Sequence, residues 1–242
     1  MMDKVLFIVP PNIKYEDFIN PAVNVKMVSK KSGNFGAVIT DIPLGVLSLS
    51  AYLKKFAAIQ TKLIDFNCIL NKLENFGFRS FAEFFRDFLL AVRSASYIPN
   101  IIGISALFSP LYQSMLDIAK CCRDIFPGAI IVAGGGIPTN MYNEIFRDST
   151  CFDALCYGEG EKPLLGLVEA DDKIRYLEES PSWITPGKVK RCRSFRHDFI
   201  EDLDEIPFYD FGILDMDDYR LNPTIAAYPS ISEKKQNLPV MT

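Results

Sequence analysis

The 242-residue sequence predicts an α/β fold in which helices cover both faces of a doubly wound parallel sheet. Several short apolar runs are continuous rather than alternating, as in strands that are buried on both faces. These runs alternate with segments of helical periodicity, which is the pattern of β-α-β units. A Ser-x-Leu and a Gly-Gly-Gly follow two successive runs, at the strand ends where such sheets bind their ligands.

The predicted sheet has five strands, with a helix or loop after each one. The strands are predicted at 4–9, 61–66, 100–107, 129–134 and 152–157. The helices are predicted at 43–56, 80–94, 109–124, 139–147 and 162–169. Together they predict one domain over residues 1–170.

Three of the predicted helices begin at a recognisable capping residue. Ser80 and Glu83 form a capping box, and an apolar, phenylalanine-rich face follows at helical spacing. Ser109 is predicted to cap the next helix, with Pro110 at its first position. Thr139 is predicted to cap the short helix that ends near residue 147.

Two segments lie outside this β-α pattern. Residues 13–42 are polar in places and contain glycine, and we expect an inserted, lid-like loop there. Residues 171–242 predict a small hairpin over 183–193, around Pro186-Gly187, and then an acidic linker over 200–207. The last residues, 237–242, read as the start of a strand, which suggests a piece of a longer protein.

Composition excludes several classes of partner. The net charge is −4, and the densest basic run, 188–193, is short and predicted to be a solvated part of the hairpin, so nucleic-acid binding is not expected. No run of eighteen apolar residues and no signal-peptide layout occurs, so we expect a cytoplasmic protein without a membrane span. The six cysteines form no Cys-x-x-Cys and are expected to be reduced thiols rather than metal ligands.

A ligand site is predicted where the third and fourth strands end. Ser105 and Leu107 close one strand, and Gly134, Gly135 and Gly136 close the next. Glycines let the backbone approach a ligand closely. Each of these residues also has a simpler explanation. The glycines could form an ordinary tight turn, Ser105 could be an ordinary serine at a strand end, and Ser109 could serve only as a helix cap.

In order along the chain, several motifs resemble the N-terminal half of cobalamin-dependent radical SAM enzymes. They are Pro43-Leu44-Gly45, Gly103-Ile104-Ser105, Gly134 to Thr139, Tyr157-Gly158-Glu159-Gly160-Glu161 and the linker 200–207 with Tyr209-Asp210. The resemblance implies a flavodoxin-like (Rossmann-like) strand order 2-1-3-4-5 and a cobalamin cofactor. It also implies a missing C-terminal radical SAM barrel that would hold a 4Fe-4S cluster and S-adenosylmethionine.

The resemblance also implies which residues contact cobalamin, and it assigns neither a catalytic residue nor a metal ligand to this chain. The implied cobalamin contacts are Pro11, Asn12, Ser105, Leu107, Ser109, Gly134, Gly135, Gly136, Thr139, Tyr157, Gly158, Glu159 and Gly160. The carboxylates of Glu159 and Glu161 also suit a helix N-terminus without any ligand.

The chain departs from methionine-synthase-like cobalamin proteins, which carry a cobalt-ligating histidine in Asp-x-His-x-x-Gly. Its one histidine, His197, lies in the appendage, so we expect cobalamin without an imidazole ligand. The expected function is to present this cofactor to a barrel that acts, by methyl transfer or related radical chemistry, on a small molecule or peptide. The alternative is a degenerate domain that no longer binds cobalamin and serves substrate recognition or assembly.

Overall fold

The computed structural model describes residues 3–22 and 26–220, and the predicted strand start at 237–242 lies outside these ranges. Within them the strands are β1 (Asp3–Val9), β2 (Met27–Lys30), β3 (Gly33–Gly36), β4 (Ile59–Asp65), β5 (Ile101–Ser105), β6 (Ile130–Gly134), β7 (Ala154–Cys156) and β8 (Trp183–Ile184). The helices are α1 (Tyr15–Ile19), α2 (Leu44–Phe56), α3 (Phe66–Lys72), α4 (Phe81–Ser94), α5 (Tyr112–Ile125), α6 (Gly136–Asn140), α7 (Tyr142–Asp148), α8 (Glu161–Glu169), α9 (Lys173–Glu179) and α10 (Pro186–Lys190).

The central sheet of the described chain has the strand order β4-β1-β5-β6-β7-β8. The five predicted strands correspond to β1, β4, β5, β6 and β7, which pair in parallel. The predicted five-stranded sheet is wrong in strand number and therefore in its full order, because β8 adds a sixth strand that is antiparallel to β7. Parallel pairing with crossover helices confirms the α/β class.

Alternate residues of each strand feed two separate hydrophobic layers. On β1, Leu6 and Ile8 pack into the layer of α4 and α5, whereas Val5 and Phe7 pack into the layer of α2 and α8. This follows from the two-residue period of a strand, which points successive side chains to opposite faces. The sheet is therefore covered on both sides, as the continuous apolar runs predict.

The predicted Ser80 cap of α4 is confirmed, whereas Glu83 bonds to the amide before the cap rather than to the Ser80 amide. The Ser80 hydroxyl accepts a hydrogen bond from the Glu83 amide at 3.1 Å, and the Glu83 carboxylate accepts one from the Arg79 amide at 2.7 Å. Its buried face carries Phe81, Phe84, Phe85, Leu89 and Val92.

The two other predicted caps are wrong. Ser109 begins a 3-10 turn, and α5 follows it without a side-chain cap. Thr139 lies inside α6, and its hydroxyl is turned to the end of β7 rather than to the start of α7.

Residues 13–42 contain α1 and the antiparallel pair β2–β3 rather than a loop alone. Phe18 stacks on Phe35 with ring centroids 5.0 Å apart, and both rings are buried in the phenylalanine-rich layer against α4. The ammonium of Lys30 donates to the carbonyl oxygens of Leu70, Asn71 and Leu73 at the end of α3. This segment is therefore attached to the core on one side of the sheet.

Residues 183–193 form β8 and α10 instead of the predicted hairpin. The Thr185 hydroxyl accepts a hydrogen bond from the Lys188 amide, and Pro186 occupies the first helical turn, so this short helix has a regular start. Lys188, predicted to be solvated, is buried. The division of the chain at residue 170 stays a prediction.

Candidate functional site

A cavity of about 230 Å³ opens at the carboxyl ends of β5 and β6, between the sheet and helices α2 and α8. This is the edge where doubly wound sheets bind ligands. Its lining residues are Phe7, Gly45, Val46, Leu49, Gly103, Ile104, Ser105, Leu107, Val132, Ala133, Gly134, Gly135, Cys156, Gly158, Glu159, Gly160, Glu161, Leu164 and Trp183.

The Ser-x-Leu motif forms one rim of the cavity. Ser105 is half-buried at the end of β5 and pairs with Gly134 of β6. Among the described residues its hydroxyl has no hydrogen-bond partner, so it remains available to a ligand. Leu107 is 58% exposed at the mouth, where it offers an apolar contact.

Two glycines of the Gly-Gly-Gly motif differ in the reason why a larger residue is excluded. A Cβ atom on Gly135, whose φ is +107°, would lie 2.6 Å from the carbonyl oxygen of Ala106. Gly135 is therefore required by the packing of the loop after β6 against the loop after β5, with or without a ligand. A Cβ atom on Gly134 would meet only the Cβ of Cys156 at 3.7 Å, an ordinary contact, so Gly134 keeps the cavity open.

The turn after β7 forms the opposite rim. The Thr139 hydroxyl accepts a hydrogen bond from the Gly158 amide at 3.3 Å and lies 3.4 Å from the Cys156 carbonyl oxygen, to which it donates. Thr139 thus positions the turn from behind and does not line the cavity. The Glu161 carboxylate accepts a hydrogen bond from the buried Ser48 hydroxyl at 2.8 Å, which ties α8 to α2.

Seven of the predicted contacts line the cavity: Ser105, Leu107, Gly134, Gly135, Gly158, Glu159 and Gly160. Gly136, Thr139 and Tyr157 are not among its lining residues. Pro11 and Asn12 follow β1, where the Asn12 amide donates to the Asn67 side-chain oxygen at 2.6 Å. Ser109 lines a separate groove with Lys14 and Arg79.

Sequence reasoning missed the floor of the cavity. Phe7 and Val132 point into it from β1 and β6, and the strand alternation of these apolar runs could have indicated them. Trp183 could not be found, because β8 was not predicted. Cys156 also lines the cavity; burial raises the pKa of its thiol to about 12, so the thiol is neutral there.

His197 lies outside the cavity, over the turn after β7. Its exposed imidazole stacks on Tyr157 at 4.6 Å and on Phe199 at 5.2 Å between ring centroids. It also fills the space that a side chain on Gly158 would need. Its observed partners are therefore aromatic rings and backbone.

The described residues show neither a cluster of metal-ligating side chains nor a membrane-spanning helix. No group of three or more His, Cys, Asp or Glu side chains within 3–22 and 26–220 could hold a metal ion. Over the same ranges, no helix is long and apolar enough to cross a bilayer.

The cavity fits one part of cobalamin rather than the whole of it. Pockets that enclose a complete small-molecule ligand usually exceed about 300 Å³, and this one is smaller and open at the sheet edge. A cavity with a side-chain-free wall at Gly134, an apolar floor and an uncommitted hydroxyl at Ser105 suits a flat aromatic group such as the base of the nucleotide tail. The corrin ring would then extend beyond the cavity.

Comparison with known proteins gives a match over the same region. A family model described as the B12 binding domain matches residues 40–168, which is more than half of the chain. An uncharacterized methyltransferase from Pyrococcus horikoshii is 29% identical over 183 residues, covering 75% of this chain and 36% of that protein.

Two further relatives share the name anaerobic magnesium-protoporphyrin IX monomethyl ester cyclase. The protein from Rubrivivax gelatinosus is 33% identical over 129 residues, or 50% of this chain and 22% of its own. The one from Cereibacter sphaeroides is 27% identical over 89 residues, or 37% and 14%. The chain therefore spans little more than a third, at most, of the length of these relatives.

Proposed function

Because this chain belongs to the B12-binding domain family, we propose that it binds cobalamin with the nucleotide tail inserted into the cavity between Ser105 and Gly134. The observation that carries the proposal is this preformed cavity at the carboxyl edge of the sheet, with an open wall at Gly134 and an uncommitted hydroxyl at Ser105. The corrin would lie over the same edge, against the loops that follow β5, β6 and β7.

The chain's own residues would bind and orient the cofactor. Ser105 would donate a hydrogen bond to the tail, Leu107 would pack against it at the mouth, and the glycine turn at 158–160 would border it. Among the other predicted contacts, Thr139 would act by holding that turn. When bound, cobalamin supplies a cobalt centre that can carry a methyl group or an electron.

We propose that the cofactor is held without an imidazole ligand from this chain. The one histidine, His197, has its ring engaged by Tyr157 and Phe199. A cobalamin bound in this way should show the absorption spectrum of the base-off form, in which the tail base has left the metal.

We further propose that the chain is part of a larger enzyme. The relatives carry the names of a methyltransferase and of cyclases, and they are much longer than this chain. With the motif resemblance, this supports a cytoplasmic cobalamin-dependent radical SAM enzyme in which a further barrel binds a 4Fe-4S cluster and S-adenosylmethionine. The chain by itself would bind cofactor without turnover, and the substrate would be a small molecule or peptide.

Absorption spectroscopy tests cobalamin binding directly. The purified chain is titrated with hydroxocobalamin and methylcobalamin and then desalted, and we expect about one equivalent of corrinoid to remain. Gly134→Val should lower the affinity more than tenfold, because its side chain enters the cavity while its Cβ meets only an ordinary contact. Gly128→Ala, in a turn with open space around it, is the matched control and should bind normally.

Two outcomes would contradict the proposal in different ways. Loss of all colour from the unaltered chain would favour the degenerate domain that serves recognition or assembly. Unchanged affinity in Gly134→Val would move the cofactor away from this cavity. A substitution at Gly135 would be a poorer test, because it strains the loop whether or not cobalamin binds.

A further inference from the structure

The polar atoms around the cavity are unevenly distributed with depth. Phe7, Val132 and Trp183 are among the most buried of the apolar lining residues, at 2%, 3% and 1% exposed. The polar side chains stand nearer the mouth, where Ser105 and Glu161 are half-buried and Glu159 is exposed. A group that enters the cavity therefore meets an apolar floor below a polar rim.

The few polar atoms at the floor are already used by the protein. The Trp183 indole nitrogen donates to the Pro163 carbonyl oxygen at 3.3 Å. The Cys156 thiol donates to the Glu159 carbonyl oxygen, with the two atoms 3.4 Å apart. The Glu161 carboxylate at the rim is held by Ser48. Among the polar side chains that line the cavity in the described chain, this leaves the Ser105 hydroxyl as the uncommitted donor.

From this distribution we infer that the cavity selects the chemical class of the tail base, and that it favours a benzimidazole over a purine. This inference rests on the proposed function, because it concerns the same site. Dimethylbenzimidazole carries methyl groups and one free ring nitrogen, which the Ser105 hydroxyl can satisfy. Adenine carries an amino group and several ring nitrogens, which would be buried against Phe7, Val132 and Trp183 without partners.

The size of the expected preference follows from the cost of burying an unpaired polar group. That cost corresponds to about tenfold or more in affinity for one such group. We therefore expect the chain to bind cobalamin at least about tenfold more tightly than the cobamide that carries adenine as its base. Cobinamide, which lacks the nucleotide tail, should bind more weakly than cobalamin.

The experiment is a calorimetric or spectroscopic titration of the chain with these three corrinoids. Equal affinity for cobalamin and the adenine cobamide, both above that of cobinamide, would overturn the selectivity and leave the proposed function standing. Equal affinity for cobalamin and cobinamide would show that the tail does not use the cavity, which overturns the inference and the proposed placement of the tail but not cobalamin binding itself. Failure of all three corrinoids to bind would overturn the proposed function itself.

A substitution of nearly constant volume tests whether the apolar floor of the cavity causes this selectivity between bases. Val132→Thr keeps the shape of the side chain and adds one hydroxyl to the cavity. It should weaken cobalamin binding, strengthen binding of the adenine cobamide and so reduce their ratio severalfold. Val5→Thr, in the same apolar layer but outside the cavity, is the matched control and should leave the ratio unchanged. Thermal unfolding of both variants reports whether they are folded, and an unchanged ratio in folded Val132→Thr would contradict the inference.

Discussion

At the scale of single residues, Asp65 is a buried carboxyl at the sheet edge. It ends β4, is only 6% exposed, and accepts hydrogen bonds from the Asn67 amide at 2.9 Å and the Tyr219 hydroxyl at 3.0 Å. Burial raises the pKa of its carboxyl to about 6, although these hydrogen bonds oppose the rise. A raised pKa in the folded state means that folding favours the neutral acid.

The stability that the neutral acid contributes is fully present below pH 4 and is lost as the pH rises through 6. Asp65→Asn, which cannot ionise and retains an oxygen to cap α3, should remove this dependence. The change in unfolding free energy between pH 4 and pH 8 should differ between the two proteins by about 2.5 kcal/mol. Urea unfolding across this range measures it, and parallel profiles would show that the pKa of Asp65 is not raised in the folded protein.

At the scale of elements, two lysine side chains cap the C-terminal ends of helices. Lys188 is 2% exposed, and its ammonium donates to the carbonyl oxygens of Leu177, Ser180 and Trp183, which joins the end of α9 to β8. Lys30 caps α3 in the same way from a half-buried position. Cations at helix C-termini satisfy carbonyl groups that the helix itself leaves unpaired.

Lys188→Met keeps the apolar stem and removes the three donated hydrogen bonds. It should lower the free energy of unfolding by about 3 kcal/mol, because two buried carbonyl oxygens and one partly buried one lose their partner. Lys30→Met is the matched variant and should cost only about 1 kcal/mol, because water can replace its ammonium. Denaturant unfolding compares them, and equal losses would contradict the role of burial.

The elements also show how far sequence reasoning reaches. The strands of the parallel sheet and α4 were predictable because buried strands and an amphipathic helix have clear apolar periodicities. β8 was not, because two residues carry no period and its position depends on pairing with β7. The rims of the cavity were predictable as motifs, whereas Trp183 enters the floor only through tertiary structure.

At the scale of the whole molecule, residues 203–220 form a strap along the side of the domain. The Asp210 carboxylate accepts hydrogen bonds from Ser50 and Lys54, both at 2.6 Å, and Tyr219 is buried beside Asp65. The strap also carries exposed apolar side chains, with Phe208 84% exposed. It is held by its carboxylates, by Tyr219 and by partly buried apolar side chains such as Phe211, and it leaves Phe208 in solvent.

Tyr219→Ala should release the end of this strap without unfolding the sheet. Amide hydrogen exchange should then rise across 211–220 and stay slow in β1 and β5, because local openings follow the contacts that hold each segment and Asp210 keeps its own. Tyr209→Ala, at a partly exposed ring on the same strap, is the control and should leave exchange unchanged. Faster exchange in the sheet would show instead that the strap and core unfold together.

The different constraints on Gly134 and Gly135 predict how the sequences of related proteins should diverge. Gly135 is required by the contact between two loops, so a descendant that had abandoned the cofactor would still need glycine there. Gly134 is restrained only by the space that a ligand would occupy, and in such a descendant it would drift to larger residues. The first glycine of the motif, rather than the second, is therefore the position at which loss of cobalamin should become visible in a sequence.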